Sequence, residues 1–247
     1  TVTIAATDGN TYRYQCSIQT LEVGDMVRVI AGDADVQVKR LSTTSLTGKM
    51  NSDGTKLGSY PMADNVEIID TYEECTPVRI YPSRLAGVEF TGDMVRYYAL
   101  NGNGEITHLI LNDVTGDLHK YGIITDVNEV NTVLPTGGYL ISSSYTYDLN
   151  GQEMVFGSDN TVYNMHSGPC QIKMEGDSTV ERLYNLKERP LSAVSVSGNF
   201  GVASNGQQYA ISEHVVVYVY ENNDYQISNL NRVAGGDYTL TGWYDKN

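Results

Sequence analysis

The segment THLILNDVTGDLHK holds His108, Asp113, Asp117 and His119 within 14 residues. Two imidazoles and two carboxylates are donor types that bind zinc or a similar ion. Their spacing matches no ligand pattern: there is no HExxH, His108 lies in an alternating strand-like run, and His119 opens the next run. The Asp and Gly residues of NDVTGD are turn formers, so the segment reads as a connector between folded modules, with no metal and no cofactor. A second acidic stretch, DNVEIIDTYEEC, carries Asp64, Glu67, Asp70, Glu73 and Glu74. A glycosidase would need two such carboxylates facing each other across a cleft. Alternation with Val66 and Ile68 puts Glu67 on the face opposite the core, and the acids read as solvated edge charge.

Other candidates resolve in the same way. LNGNGE (100–105) alternates oxygen donors like a calcium loop but lacks the glutamate expected at the twelfth position, and a hairpin turn explains its glycines. Ser142-Ser143-Ser144 reads as a polar loop. LPTGG at 134–138 lacks the residue that a sortase signal places between Pro and Thr, and no hydrophobic tail follows it. Cys16, Cys75 and Cys170 are an odd, widely separated set without CxxC spacing, which suits strand packing better than a zinc site or a disulfide framework. No GxSxG elbow, phosphate-binding glycine loop or Cys/His pair can be picked out, so the chain reads as a non-enzyme with no catalytic residues. Tyr97, Tyr98, Tyr145, Tyr147, Tyr218 and Tyr220 alternate along strands. Packing is the ordinary role of such residues; a sugar-stacking platform is the alternative, with Tyr97 and Tyr147 as ligand-binding candidates.

The elements that would position these residues are strands. Tyrosine accounts for 19 residues against 3 Phe and 1 Trp, and 24 glycines recur in Asn-Gly and Asp-Gly pairs, the composition of many short strands joined by tight turns. No long amphipathic helix is visible; YPSRLAGVEF (81–90) is the one segment read as a helical or 3₁₀ turn. With 30 acidic and 16 basic residues the formal charge is −14, which disfavours nucleic acid and anionic membranes. No apolar run approaches the roughly 20 residues that span a bilayer, so membrane insertion is not expected.

GDMVR occurs at 24–28 and again at 92–96, each time leading into a strand–turn–strand pattern. A related hairpin starts at Gly168, and a fourth start lies at Gly236-Asp237; the steps between starts are 68, 76 and 68 residues. Recurrence at a near-constant step signals tandem modules. Five or six strands per module, with no edge left open, suggest small SH3-like or OB-like barrels of about 70 residues. The expected boundaries are 1–45 (a partial or shortened barrel), 46–118, 119–190 and 191–247 (possibly truncated).

The stretch SYPMADNVEIIDTY…YPSRLAGVEFTGDMVRYYALNGNGEITHLILNDVTGDLHKYGIIT resembles the repetitive β-rich regions of large surface proteins from clostridia-like Gram-positive anaerobes, proteins that often carry S-layer homology domains elsewhere. The likeness is clearest over 57–125 and looser to 247. No S-layer homology module is present in this sequence. The resemblance implies an extracellular, cell-surface or cell-wall-associated location, and a spacer, display or adhesion role. The partners it implies are a cell-wall polymer, a glycan or another surface protein. A glycan- or wall-polymer-binding module is the alternative reading, and a carbohydrate-active hydrolase the third.

Overall fold

The computed structural model describes residues 1–32, 36–197, 199–235 and 237–247. The fold is 53% strand and 3% helix, with sheets curled into half-barrels, so the chain is all-β. It divides into two compact units, Thr1–Leu118 with Lys246–Asn247, and His119–Asp245.

In the first unit β1 (Val2–Ala5) pairs with β2 (Thr11–Tyr14), and β3 (Val27–Ala31) pairs with β4 (Val36–Arg40), both antiparallel. Two short strands follow, β5 (Gly48–Lys49) and β6 (Lys56–Leu57), and then the 12-residue β7 (Tyr60–Thr71). Beyond it lie β8 (Val78–Ile80), a 3₁₀ turn at Pro82–Leu85, β9 (Glu89–Phe90), β10 (Val95–Leu100) and β11 (Ile106–Asn112). The 3₁₀ turn falls within the segment read as helical, with Pro presetting its first φ. The main sheet runs β10-β11-β7-β6, with β8 also on β7, and β11 lies parallel to β7. Parallel neighbours cannot be joined by a tight hairpin, so residues 72–105 form the crossover. The core beneath collects Met50, Leu57, Ile68, Leu85, Phe90, Val95, Ile106, Leu109 and Leu111. Residues 68–71 of β7 and 109–111 of β11 are buried without a break, so the centre of this sheet is covered on both faces.

The second unit is built on an antiparallel five-stranded sheet of order β14-β13-β12-β15-β16. Its strands are β12 (Lys120–Val133), β13 (Tyr139–Leu149), β14 (Gln152–Ser158), β15 (Gly168–Glu175) and β16 (Thr179–Asn185). Ser142-Ser143-Ser144, expected as a loop, lies inside β13, because the Tyr and Ile residues on either side carry the strand pattern through it. The rest comprises β17 (Lys187–Ser197), β18 (Phe200–Ala203), β19 (Gln208–Ala210), β20 (Val217–Glu221), β21 (Asp224–Ser228), a single helical turn at Leu230–Val233 and β22 (Thr241–Tyr244). Strands β19-β18-β17-β22 form one sheet, and β20-β21 is a hairpin. Tyr218 of that hairpin donates its hydroxyl to Asp148 Oδ1 at 2.6 Å.

The recurring hairpins are present as β3-β4, β10-β11 and β15-β16. The turn of the first, at 33–35, and Gly236 of the fourth start lie outside the described residues. Each hairpin has different neighbours: β10-β11 joins β7 in parallel, β15-β16 joins β12 antiparallel, and β3-β4 stands as its own sheet. The two GDMVR copies touch. Arg96 of the second donates to the Gly24 carbonyl of the first at 2.7 Å and to Thr71 Oγ1 at 2.9 Å, whereas Arg28 of the first copy is exposed. Duplicated sequence thus does different work at the two places.

Candidate functional site

The polar residues that first suggested chemistry are divided among separate partners. His108, on β11, lies opposite Glu67 of β7, with Nε2 3.6 Å from Glu67 Oε2, an oxygen that also accepts from Thr7 Oγ1 at 2.6 Å. Asp113 pairs with Lys246 Nζ at 2.7 Å. Asp117 receives Arg84 through Nε at 3.1 Å and Nη2 at 3.1 Å, and both side chains are buried. His119, also buried, opens the second unit. Among the described residues no three His, Cys, Asp or Glu side chains are grouped to hold a metal ion.

Asp70 departs furthest from the sequence reading. Expected as solvated edge charge, it is fully buried and accepts four hydrogen bonds: from Thr71 N at 3.1 Å, Val114 N at 3.1 Å, Thr115 N at 2.8 Å and Thr115 Oγ1 at 2.7 Å. Burial raises its pKa above the ordinary 3.8, opposed by the hydrogen bonds from Thr115 and Val114. The carboxylate thereby fixes the loop after β11. Arg84 holds the same loop from the 3₁₀ turn, donating to the Thr115 carbonyl at 3.0 Å. NDVTGD is therefore a bonded buried loop, and its carboxylates are consumed in structure.

The turn residues also spend their oxygens locally. Asn101 Oδ1 accepts from Asn103 N at 2.9 Å and Glu105 N at 3.0 Å, and its amide donates to Glu105 Oε2 at 2.7 Å, which closes the LNGNGE hairpin. Cys16, Cys75 and Cys170 are not joined in disulfides; Cys170 is buried, and desolvation pushes its pKa up to about 12. Of the two ligand candidates, Tyr97 is half-buried on β10, while Tyr147 is only 1% exposed. Tyr147 offers no face to a sugar: its ring fills the core under β13, where the alternation that made it conspicuous points inward. The tyrosines that do reach solvent include Tyr139 at 71% and Tyr220 at 57% exposure.

Tyr139 belongs to the feature that most resembles a working surface. Strand β12 pairs with β15 only over Lys120–Ile124, and β13 pairs with β14 only from Ser143 onward. Beyond those points, among the described residues, the two strands pair only with each other, out to Val133 opposite Tyr139. The result is a two-stranded arm with both outer edges unpaired, closed by LPTGG, where Leu134 N donates to the Gly138 carbonyl at 2.7 Å. Val133, Leu134, Tyr139 and Leu140 stand exposed on it. No Asp, Glu, Lys, Arg or His occurs from Val130 to Tyr147.

The root of the arm is locked. The Tyr145 hydroxyl donates to Glu129 Oε1 at 2.5 Å and accepts from Tyr163 N at 3.0 Å, while Met165 N donates to the same Glu129 oxygen at 3.0 Å. Burial, and then the bond to Glu129, raise the pKa of Tyr145, which holds the phenol neutral as a donor. Tyr145 is also ringed by Phe156 and Tyr163, with centroids 6.4 and 6.1 Å away. An ordered root under an exposed apolar tip is a geometry for contact with another molecule. The alternation of VNTV and YLIS signals the strands, but no sequence signal tells that the flanking strands stop short of them.

Comparison with protein-family models, curated proteins and solved structures returns no match to this chain.

Proposed function

We propose that the chain is a non-catalytic structural and adhesion region of a bacterial cell-surface protein, of the S-layer-associated kind that its sequence resembles. In this reading it lies outside the cell, built as a tandem array of small barrels, with the recurring hairpins and curled sheets as support. The observation that carries the adhesive role is the projecting arm. A paired ribbon with two open edges can extend by strand addition, main chain to main chain. Natural proteins usually protect such edges with charge; here that protection is missing over residues 130–147.

The occupant favoured by charge is a second copy of this chain. Two bodies each carrying −14 repel, and the repulsion is least where no charged side chain stands. A contact confined to one two-stranded arm gains strength when it is repeated in an array, as surface assemblies require. Sedimentation velocity over a concentration series tests this. The native chain should associate reversibly, and variants with residues 131–140 replaced by an Asn-Gly turn, or with Val133→Asp and Tyr139→Asp, should remain monomeric. A native chain that stays monomeric throughout, or an arm-shortened chain that associates equally, refutes the adhesive role. Labelling of intact source cells with a membrane-impermeant reagent tests location: protection of the chain until lysis refutes an extracellular site.

A further inference from the structure

Arg189 on β17 is held in an unusual way. Its guanidinium carbon lies 3.8 Å from the centroid of the Tyr209 ring on β19 and 3.7 Å from that of Tyr244 on β22. The cation is thus packed against two rings at close to van der Waals distance, on a residue that is only partly buried. Among the described residues no carboxylate or carbonyl accepts a hydrogen bond from its N–H donors, in a chain with 30 acidic side chains and 16 basic ones. Arg84 and Arg40, by contrast, engage Asp117 and Asp25. Lys187, two residues earlier on the same strand face, lies 5.9 Å from the Tyr244 centroid and adds a second positive charge. Opposite Arg189 stands Gly242, and opposite Tyr209 stands Gly201; the Leu191 side chain packs over both glycines and floors that face beside the cation. The Tyr209 and Tyr244 hydroxyls are likewise not engaged by any hydrogen bond among the described residues.

We propose that this cluster is a binding site for a carboxylate-bearing sugar, with the carboxylate taken by the fork of Arg189. A guanidinium packed against two rings has already lost its rotamer freedom, so little ordering cost remains when a planar anion docks edge-on in bidentate fashion. The phenol hydroxyls of the two packed rings supply donors and acceptors for the hydroxyls of a uronate. A carboxylate at the end of an acidic peptide has no comparable set of hydroxyls to offer them. This site is independent of the arm and does not rest on self-association.

The test is a titration of the intact chain, labelled with ¹⁵N at arginine, following the Arg189 Nε–Hε resonance. The probes are trigalacturonate, a neutral trisaccharide of the same length, and triglutamate. Trigalacturonate should shift the resonance saturably, the neutral sugar should leave it unmoved, and triglutamate should bind more weakly. Arg189→Lys, titrated by calorimetry beside the native chain because it lacks that resonance, keeps the charge but loses the fork, and affinity should fall about ten-fold. Tyr209→Phe keeps the stacked ring and removes only the hydroxyl, so it should fold normally and weaken binding severalfold. Absence of a saturable shift, or equal affinity in Arg189→Lys and Tyr209→Phe, overturns the site. Equal or tighter binding of triglutamate overturns the assignment to a sugar.

Discussion

Replacing Asp70 with Ala removes the acceptor from which the loop after β11 is suspended. Three donors of that loop, Val114 N, Thr115 N and Thr115 Oγ1, would be left buried without their partner, along with Thr71 N on the strand itself. An orphaned buried donor costs about 1–3 kcal/mol, and part of that is recovered because a desolvated anion is removed as well. The expected net loss is about 3–5 kcal/mol, enough to move a urea midpoint by roughly 2 M at ordinary slopes. The assay is equilibrium urea unfolding together with hydrogen exchange on peptides covering 106–118, where protection of the loop amides should collapse first. The same group sets a pH dependence. Burial raises its folded pKa above 3.8, so the native state holds this proton more tightly than the unfolded chain. Its contribution is fully present below the unfolded value and is lost as pH rises through the folded one. Asp70→Asn, which cannot titrate, should lack that slope while still losing stability, because its amide hydrogens face donors. A loss below about 1 kcal/mol in Asp70→Ala, with exchange in 113–117 unchanged, would refute the account of Asp70 as the anchor of this loop.

Two further tests address backbone packing and thiol chemistry. A Cβ at Gly122, on β12 between β13 and β15, would collide with the Asp148 carbonyl, so Gly122→Ala should destabilise the second unit by about 2–3 kcal/mol or more, whereas Gly102→Ala, with open space around it, should be near neutral in thermal unfolding. Alkylation of the native chain at pH 8, mapped by mass spectrometry, should label the half-exposed Cys16 and spare buried Cys75 and Cys170, with Cys170 reacting only after denaturation because burial holds its pKa near 12.

The contrast between Gly102 and Gly122 shows which features were legible. Gly102 announces itself beside Asn101 in a hairpin signal, and the hairpin is there, but its substitution is harmless because only Gly104 of that turn takes a positive φ, 77°. Gly122 sits unremarked in KYGIIT, yet its missing Cβ allows β13 to approach β12. Glu67 and Asp70 lie three residues apart in one run of acids. Strand alternation correctly places Glu67 on the outer face, but nothing local shows that the loop at 113–115 folds over Asp70.

What the sequence determined by itself is what depends on near neighbours along the chain: the all-β character, the hairpins that follow GDMVR, the Asn-Gly turns and the 3₁₀ turn after Tyr81. Turn chemistry and period-2 alternation act over a few residues, and they can be read without knowing what lies across the sheet. Only the tertiary structure decided that β11 lies parallel to β7, that Arg96 reaches the Gly24 carbonyl, that β12 and β13 outrun their neighbours, and that Arg189 is packed against two tyrosines. Each of these joins residues distant in sequence, and the same carboxylate, glycine or arginine serves equally well in water or in a core until its neighbours are chosen. The physical reason is that burial and strand pairing are properties of the whole packed arrangement, to which every segment contributes but which none encodes alone.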